Sequence, residues 1–279
     1  MAKQKNLYRD HHFNQIKTGW NVVFSIILCL ISLLMLIPLV LVVVVSFSSE
    51  ASIALNGFSF FPTEWTLVGY KYLAKMGDQI LVSYRITIII TILGTLMSLF
   101  VMTMYAYVLA QKNFVFRKFF MWILFFTMLF SGGLVPSYIM NVRYLHINDS
   151  IWIFLLPSLV SVYNVIILRT FILTTIPDTL FEAARIDGAG HFRVYVSIVL
   201  PLFKAGIATI ALFNVVSRWN DWFTGMLYIK KASLIPLQTM LKNIQDNIDF
   251  LKQNAEVAGT PDGIAFLTSL PDQNLRMAC

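Results

Sequence analysis

Read as alternating apolar and polar blocks, the chain is dominated by long runs with no charge. Val22–Val45 has none, and neither do Ile86–Ala110 or Phe119–Met140. Ile151–Ile176 has only Arg169, near its end, and Lys204–Ile229 is interrupted by "SRWNDW" (Ser217–Trp222). A hydrocarbon core of about 30 Å takes roughly 20 helical residues, so each run predicts one membrane span. In lipid only helices and closed barrels satisfy the backbone. These runs are too long and too evenly apolar for barrel strands. The prediction is an all-α polytopic membrane protein in a single transmembrane domain, residues 1–279. Its five spans cover about 22–45, 86–110, 119–140, 151–176 and 204–229. The first run is too long for a signal-peptide core and has no small-residue cleavage site, so it stays in the mature chain.

The polar blocks set orientation. The first segment, with Lys3, Lys5, Arg9 and Lys17, is basic, and so is the short loop "QKNFVFRK" (Gln111–Lys118). Early short loops weigh most in the positive-inside rule, which puts the N-terminus in the cytoplasm and Pro177–Pro201 on the same side. Ser46–Ile80, with "FFPTEW" (Phe60–Trp65), reads as an irregular outer loop. Leu234–Leu251 places Leu237, Met240, Leu241, Ile244, Ile248 and Leu251 at helical spacing. That fits a surface helix packed on the outer span ends or a docking surface for a partner.

Composition agrees with the pattern. The chain is 58% hydrophobic and 13% charged, with mean hydropathy +0.73, whereas soluble domains carry about 25% charged residues. The net charge of +7 is dispersed between apolar runs, so topology explains it better than a nucleic-acid patch. Cys29 and Cys279 form no metal or disulfide pattern. There is no GxxxxGK phosphate loop, the four histidines are scattered, with His11 and His12 adjacent in the basic tail, and no nucleophile–base pair shares a plausible site. These absences exclude a chemical enzyme.

Three groups of residues within the spans remain. Thr87, Thr91, Gly94, Thr95 and Ser98 form a small and hydroxyl stripe on the second span, read as helix packing. "FSGGLVP" (Phe130–Pro136) reads as a kink or close-packing site. On the fifth span Asn214, Arg218, Asp221 and Trp222 share one helical face with Gly225. Arg218 and Asp221, three apart, can pair. Two readings stand: an ion pair with an interfacial aromatic belt at Trp219 and Trp222, or a wall of a translocation path. In the second, Trp219, Asn220 and Trp222 suit stacking and hydroxyl bonding to a neutral sugar. Ser161 and Asn164 on the fourth span could complement that wall or bond between helices.

The block "TLFEAARIDGAGHFRVYVSIVLP" (Thr179–Pro201) is the polar exception. Thr179 and Glu182 have capping-box spacing, and Ile176-Pro177 ends the preceding helix. Gly188 or Gly190 can supply a left-handed exit. A second short helix, His191–Val199, then carries Phe192, Tyr195, Val196 and Val199 on one side, and Pro201 opens the fifth span. Loops between spans need only a few residues, so this helix-turn-helix at the membrane surface predicts a protein partner.

Glu182-Ala183-Ala184, then Gly188, then Ile198-Val199-Leu200-Pro201 resembles the EAA loop of permease subunits of ATP-binding-cassette importers. These are also described as inner-membrane components of binding-protein-dependent transport. "EAARIDGA", "FSGGLVPSY", "RWNDWF" and "PLQ" (Pro236–Gln238) resemble the carbohydrate branch, the maltose-type second permease and its complex-saccharide subgroup. The resemblance implies a MetI-like, type I importer bundle that moves an oligosaccharide. It implies that Glu182, Ala183, Ala184, Asp187, Gly188, Ala189, Ile198 and Pro201 couple to an ATPase. It implies a second permease, two ATPase copies carrying ATP and Mg, an extracellular solute-binding protein, and a bacterial plasma membrane. No cofactor is implied on this chain. A sixth helix is implied after "LRMA" (Leu275–Ala278), and the sequence ends at Cys279. The alternatives are the same architecture importing a peptide or polyamine, and a secondary transporter, which would want unpaired ion-binding groups in the bundle.

Overall fold

A computed structural model describes residues 18–49, 52–53 and 56–253. The basic tail with His11 and His12, and the segment after residue 253 where a sixth helix is expected, lie outside the described residues. Among the described residues the only β-pairing outside the helices is one isolated bridge, Ser48 to Trp65. The chain divides into two units after Lys75.

The first unit holds α1 (Thr18–Ser46) and α2 (Val68–Lys75). α1 is apolar all round, the composition of a helix surrounded by lipid or protein. Beyond it the chain folds back on itself. Ser49 N–H donates to Glu64 O at 3.0 Å and Thr66 N–H to Phe47 O at 2.7 Å. The Phe47 ring stacks on Tyr70 at 5.0 Å, and the Ser46 and Tyr70 hydroxyls share a 2.8 Å bond. The "FFPTEW" segment is therefore tied down at its ends.

In the second unit α3 (Gly77–Ala110) is the axis. Its 34 residues span about 51 Å, so it outruns the membrane core. Around it lie α4 (Arg117–Leu129), α5 (Leu134–Tyr144), α6 (Trp152–Leu155), α7 (Val162–Thr175), α8 (Asp178–Ile186), α9 (His191–Leu202), α10 (Lys204–Trp219), α11 (Phe223–Tyr228) and α12 (Leu237–Gln253). α7 and α10 pack on α3 and on each other.

Two described helices, Gly19–Ser46 and Gly77–Ala110, are long and apolar enough to cross a membrane alone. Three bent pairs bring the number to as many as five. α4 and α5 meet at 113°, α7 and α8 at 77°, and α9 and α10 at 81°. The first bend falls at Phe130–Gly133 of "FSGGLVP", where Gly133 takes φ +84. An L side chain is strained there, so 119–140, read as one span, is two helices. The run 151–176 is also two helices, parted at Leu156–Ser161 around Pro157, which has no N–H to donate.

The apolar core forms two clusters along α3. The larger surrounds its C-terminal half, with Met102, Ala106 and Leu109 against Val165, Leu168, Val199, Phe203 and Ile210. The smaller gathers Ile90, Ile153, Phe154 and Ile229. Between them along α3 lie the buried Thr91, Gly94, Thr95 and Ser98.

Candidate functional site

Two features carry polar chemistry: the α8–α9 turn and the seam between the clusters. The turn starts differently from its capping-box prediction. α8 begins two residues earlier, at Asp178, with Pro177 as its N-cap position and no side-chain cap. Thr179 is thus inside the first turn, and its hydroxyl cannot reach the N3 amide as a cap would. Asp178 instead ion-pairs with Lys112 of the α3–α4 loop, both exposed, and a carboxylate suits a helix N-terminus.

The turn itself is glycine-dependent. Asp187 N–H donates to Ala183 O, Gly188 N–H to Arg185 O and Ala189 N–H to Ala184 O, all within 2.9–3.0 Å. Gly188 has φ +72 and Gly190 does not, which decides between the two candidate exits. Glu182, Ala183, Asp187, Gly188 and Pro201 are exposed, Ala189 and Ile198 are half-buried, and Ala184 is buried. Between α8 and α9 is an open hollow of about 340 Å³ bordered by Ala183, Asp187, Arg193 and Ser197.

The inner face of the turn is tied to α3. Val194, Tyr195 and Val199 are buried, while Phe192 and Val196 are exposed. The predicted stripe is therefore rotated, and the π-helical stretch Tyr195–Val199 shifts the register that 3.6-residue spacing assumes. The Tyr195 hydroxyl bonds Thr103 Oγ1 at 2.7 Å. Tyr107 donates to His191 O at 3.3 Å, and its ring meets Tyr195 and Phe181 at 5.5 and 6.5 Å. Pro201 closes α9 before the bend rather than opening α10, which starts at Lys204. Lys112, Thr103 and Tyr107 were missed in the sequence because a lone hydroxyl or lysine carries no periodic signal.

The seam centres on Arg218, which is buried on α10. It makes no ion pair with Asp221. Its Nη1 donates to Phe154 O at 2.7 Å, and its Nη2 to Ser98 Oγ at 2.6 Å and Ser158 O at 3.0 Å. Those carbonyls belong to the α6–α7 break, where the helix ladder is interrupted around Pro157. Asp221 accepts from Thr224 N–H at 3.1 Å instead, capping α11. The guanidinium lies over Gly94, where an added Cβ would sit 2.5 Å from Nη1. Among the described residues, the buried Thr91 and Thr95 hydroxyls and Arg218 Nε have no hydrogen-bond partner.

The other predicted wall residues separate. Asn214 is buried and donates to Ile210 O of its own helix at 2.9 Å. Trp219 is half-buried, its ring 6.4 Å from Tyr84. Asn220 is exposed and bonds back to Val216 O at 2.8 Å. Trp222 is exposed, with the Lys242 ammonium 5.6 Å from its ring centre. Ser161 caps α7, accepting from Asn164 N–H at 3.4 Å. Among the described residues no hydrogen bond joins Ser161 or Asn164 to the polar face of α10.

Nearer the N-terminal end of α3, the predicted amphipathic segment is α12. Leu237 N–H donates to Thr87 Oγ1 at 2.8 Å, and Ser83 Oγ donates to Met240 Sδ at 3.4 Å. Thr239 Oγ1 donates to Trp222 O at 2.9 Å and fills the space over Gly225. Nearby, Asp149 takes φ +50 and accepts from the Lys230 and Lys231 amides at 2.5 and 3.2 Å. The Lys230 amide, above all, holds its carboxyl below the usual carboxylate range.

Residues 106–252 match the family described as binding-protein-dependent transport system inner membrane component. The polygalacturonan/rhamnogalacturonan transport system permease protein YtcP of Bacillus subtilis is 35% identical over 78% of this chain and 75% of its own length. Protein LplC of the same organism is 36% identical over 79% and 74%. A solved bacterial ABC transporter involved in the import of the acidic polysaccharide alginate has a chain that superposes with TM-score 0.74. That chain is 27% identical, and the match covers 93% of this chain and 89% of that one.

Proposed function

Because the chain belongs to the family of inner membrane components of binding-protein-dependent transport systems, we propose that it is the permease subunit of a saccharide importer driven by a separate ATPase. The observation that carries the reading is the α8–α9 turn. It exposes Glu182, Ala183, Asp187 and Gly188 outward, while Ala184, Tyr195 and Val199 bind its inner face to α3. A convex short helix with small residues admits close approach by another protein. Its rigid inner anchorage makes it a lever on α3 instead of a loose loop.

In this reading the ATPase grips Glu182, Ala183, Asp187, Gly188 and Ala189, and the half-buried Ile198 and the exposed Pro201 brace the second arm. Two ATPase copies carry ATP and Mg; this chain supplies no cofactor and no covalent step. A second permease completes the pathway, and an extracellular binding protein delivers the solute. The turn then faces the cytoplasm of a bacterial cell, with the N-terminus on the same side. Complex saccharides are the solute class, supported by the names of YtcP and of the alginate importer. Asn220 and Trp222, exposed where α10 ends, are the residues placed to meet sugar; Asn214, Arg218 and Ser161 serve packing and capping.

The test is ATP-dependent uptake and ATPase co-purification with Glu182→Lys and Gly188→Asp. Both are expected to be lost while the chain still inserts; intact uptake and co-purification would refute the coupling role. Trp222→Ala and Asn220→Ala should shift uptake or preference across a panel of neutral and acidic oligosaccharides. No shift would leave Trp222 an interfacial aromatic only.

A further inference from the structure

At the end of the bundle that carries the α8–α9 turn, a hollow of about 450 Å³ opens between α4 and α7. Coupling does not use it. Arg117, Lys118 and Arg169 stand at its mouth, and Trp122, Phe125 and Leu129 line it further along α4. Arg169 is tethered, its Nε donating to Leu109 O at 3.1 Å. Among the described residues the ion pairs are Lys112–Asp178 and Lys242–Asp246, so no carboxylate neutralises these three cations. α4 adds to the imbalance: it starts with no acidic residue in its first turn and no side-chain cap, leaving its positive end uncompensated.

The order of chemistry along α4 is that of a lipid. Charge comes first, then the indole of Trp122, a side chain suited to the headgroup boundary, then Phe125 and Leu129. From Arg117 to Leu129 the rise is about 18 Å. One leaflet offers about 15 Å of hydrocarbon beneath its headgroups. Basic pockets between membrane helices bind anionic headgroups by this combination. We propose that the hollow is a binding site for an anionic phospholipid. The phosphate lies among Arg117, Lys118 and Arg169, and one acyl chain runs along Trp122, Phe125 and Leu129. The inference rests on the chain's membrane location alone and is independent of the solute or of the coupling role.

The test uses the assembled transporter, delipidated in detergent and titrated with phosphatidylglycerol or phosphatidylcholine, with bound lipid counted by native mass spectrometry. Phosphatidylglycerol is expected to be retained at least about 10-fold better. Arg117→Gln with Lys118→Gln removes two surface charges and should bring that preference close to parity. Lys204→Gln, a control charge outside the hollow, should leave it unchanged. Equal retention of the two lipids, or a preference that survives the double substitution, overturns the site. A photoreactive residue in place of Trp122 gives a readout that does not depend on charge. Labelling of phospholipid agrees with the proposal, and labelling of a neighbouring protein subunit overturns it in favour of a protein interface.

Discussion

Gly94→Ala is the sharpest probe of the buried seam. The new Cβ would lie 2.5, 2.7 and 2.9 Å from Nη1, Cζ and Nε of Arg218, closer than carbon and nitrogen can pack. The guanidinium has to move, and it is held by Phe154 O, Ser158 O and Ser98 Oγ. Losing one hydrogen bond to a charged group costs about 1.5–3 kcal/mol, and overpacking adds about 1–3 kcal/mol. Against this, alanine gains about 1 kcal/mol over glycine inside a helix. The net expectation is a loss of about 3 kcal/mol, roughly 150-fold in the folding equilibrium.

The sign reverses once the obstruction is gone. In an Arg218→Leu background the shorter side chain leaves room for the methyl group, so Gly94→Ala should be neutral or stabilise by up to about 1 kcal/mol. The double-mutant cycle then gives a coupling of about 3–4 kcal/mol. The assay is reversible denaturation of the purified protein in mixed micelles, followed by tryptophan fluorescence, with all four variants at one detergent ratio. A coupling below about 0.5 kcal/mol would refute the reasoning, because the glycine would then not be there for the guanidinium.

Gly188 and Gly190 make a matched pair. No atom lies within 4 Å of an added Cβ at either, but only Gly188 has positive φ. Gly188→Ala should cost about 1–2 kcal/mol of backbone strain and weaken ATPase co-purification, with Gly190→Ala close to neutral. Tyr195→Phe removes the 2.7 Å bond to Thr103 and should lower stability by about 1 kcal/mol while reducing uptake per ATP hydrolysed; unchanged coupling would argue against the anchorage. At Asp149 the folded carboxyl sits below its usual range. Its contribution is therefore present above the ordinary carboxylate pKa and is lost as pH falls through the depressed value. Hydrogen exchange at the Lys230 and Lys231 amides should accelerate in that acid window beyond its intrinsic pH trend. Asp149→Asn should remove this extra pH dependence.

The large elements were legible because hydropathy acts over whole segments. α1 and the part of α3 from Ile86 to Ala110 follow directly from uncharged runs, and the α8–α9 turn from a polar block between two of them. The first turns of α3, with Asp78 and Arg85, reach back into the segment read as an irregular loop. Bends were legible where a glycine or a proline beside polar sequence announced them, as at Gly133 and Pro177. At Pro157 the break was hidden inside an apolar run, since the residues around it are as hydrophobic as those of an unbroken span. The rotated face of α9 was unreadable for a related reason. A π-helical turn adds a residue to the cycle without leaving a composition signal, so spacing assigned Phe192 and Val196 to a face that in fact belongs to Val194, Tyr195 and Val199.

The hidden proline also explains why Arg218 was given the wrong partner. Spacing along one helix offers Asp221, three residues away, and in water that pairing would cost little to make. In a lipid-surrounded bundle the stronger demand comes from backbone carbonyls that have lost their helical donors, since a carbonyl left without a donor costs several kcal/mol there. Phe154 O and Ser158 O are at such a break, where the Ser158 hydroxyl returns one bond to Phe154 O at 2.9 Å. A guanidinium is rigid and forked enough to reach both carbonyls while still bonding Ser98. Asp221 is then free to cap α11 across the end of α10, where its charge meets an N-terminus. Both assignments depend on a break some sixty residues earlier in the chain, so one helix read alone could not supply them. The same logic predicts that Pro157→Ala, by letting the α6–α7 ladder close, would deprive Arg218 of acceptors and destabilise the bundle even though alanine is the better helix former. A Pro157→Ala protein more stable than the parent would show that the break does not supply the acceptors for Arg218.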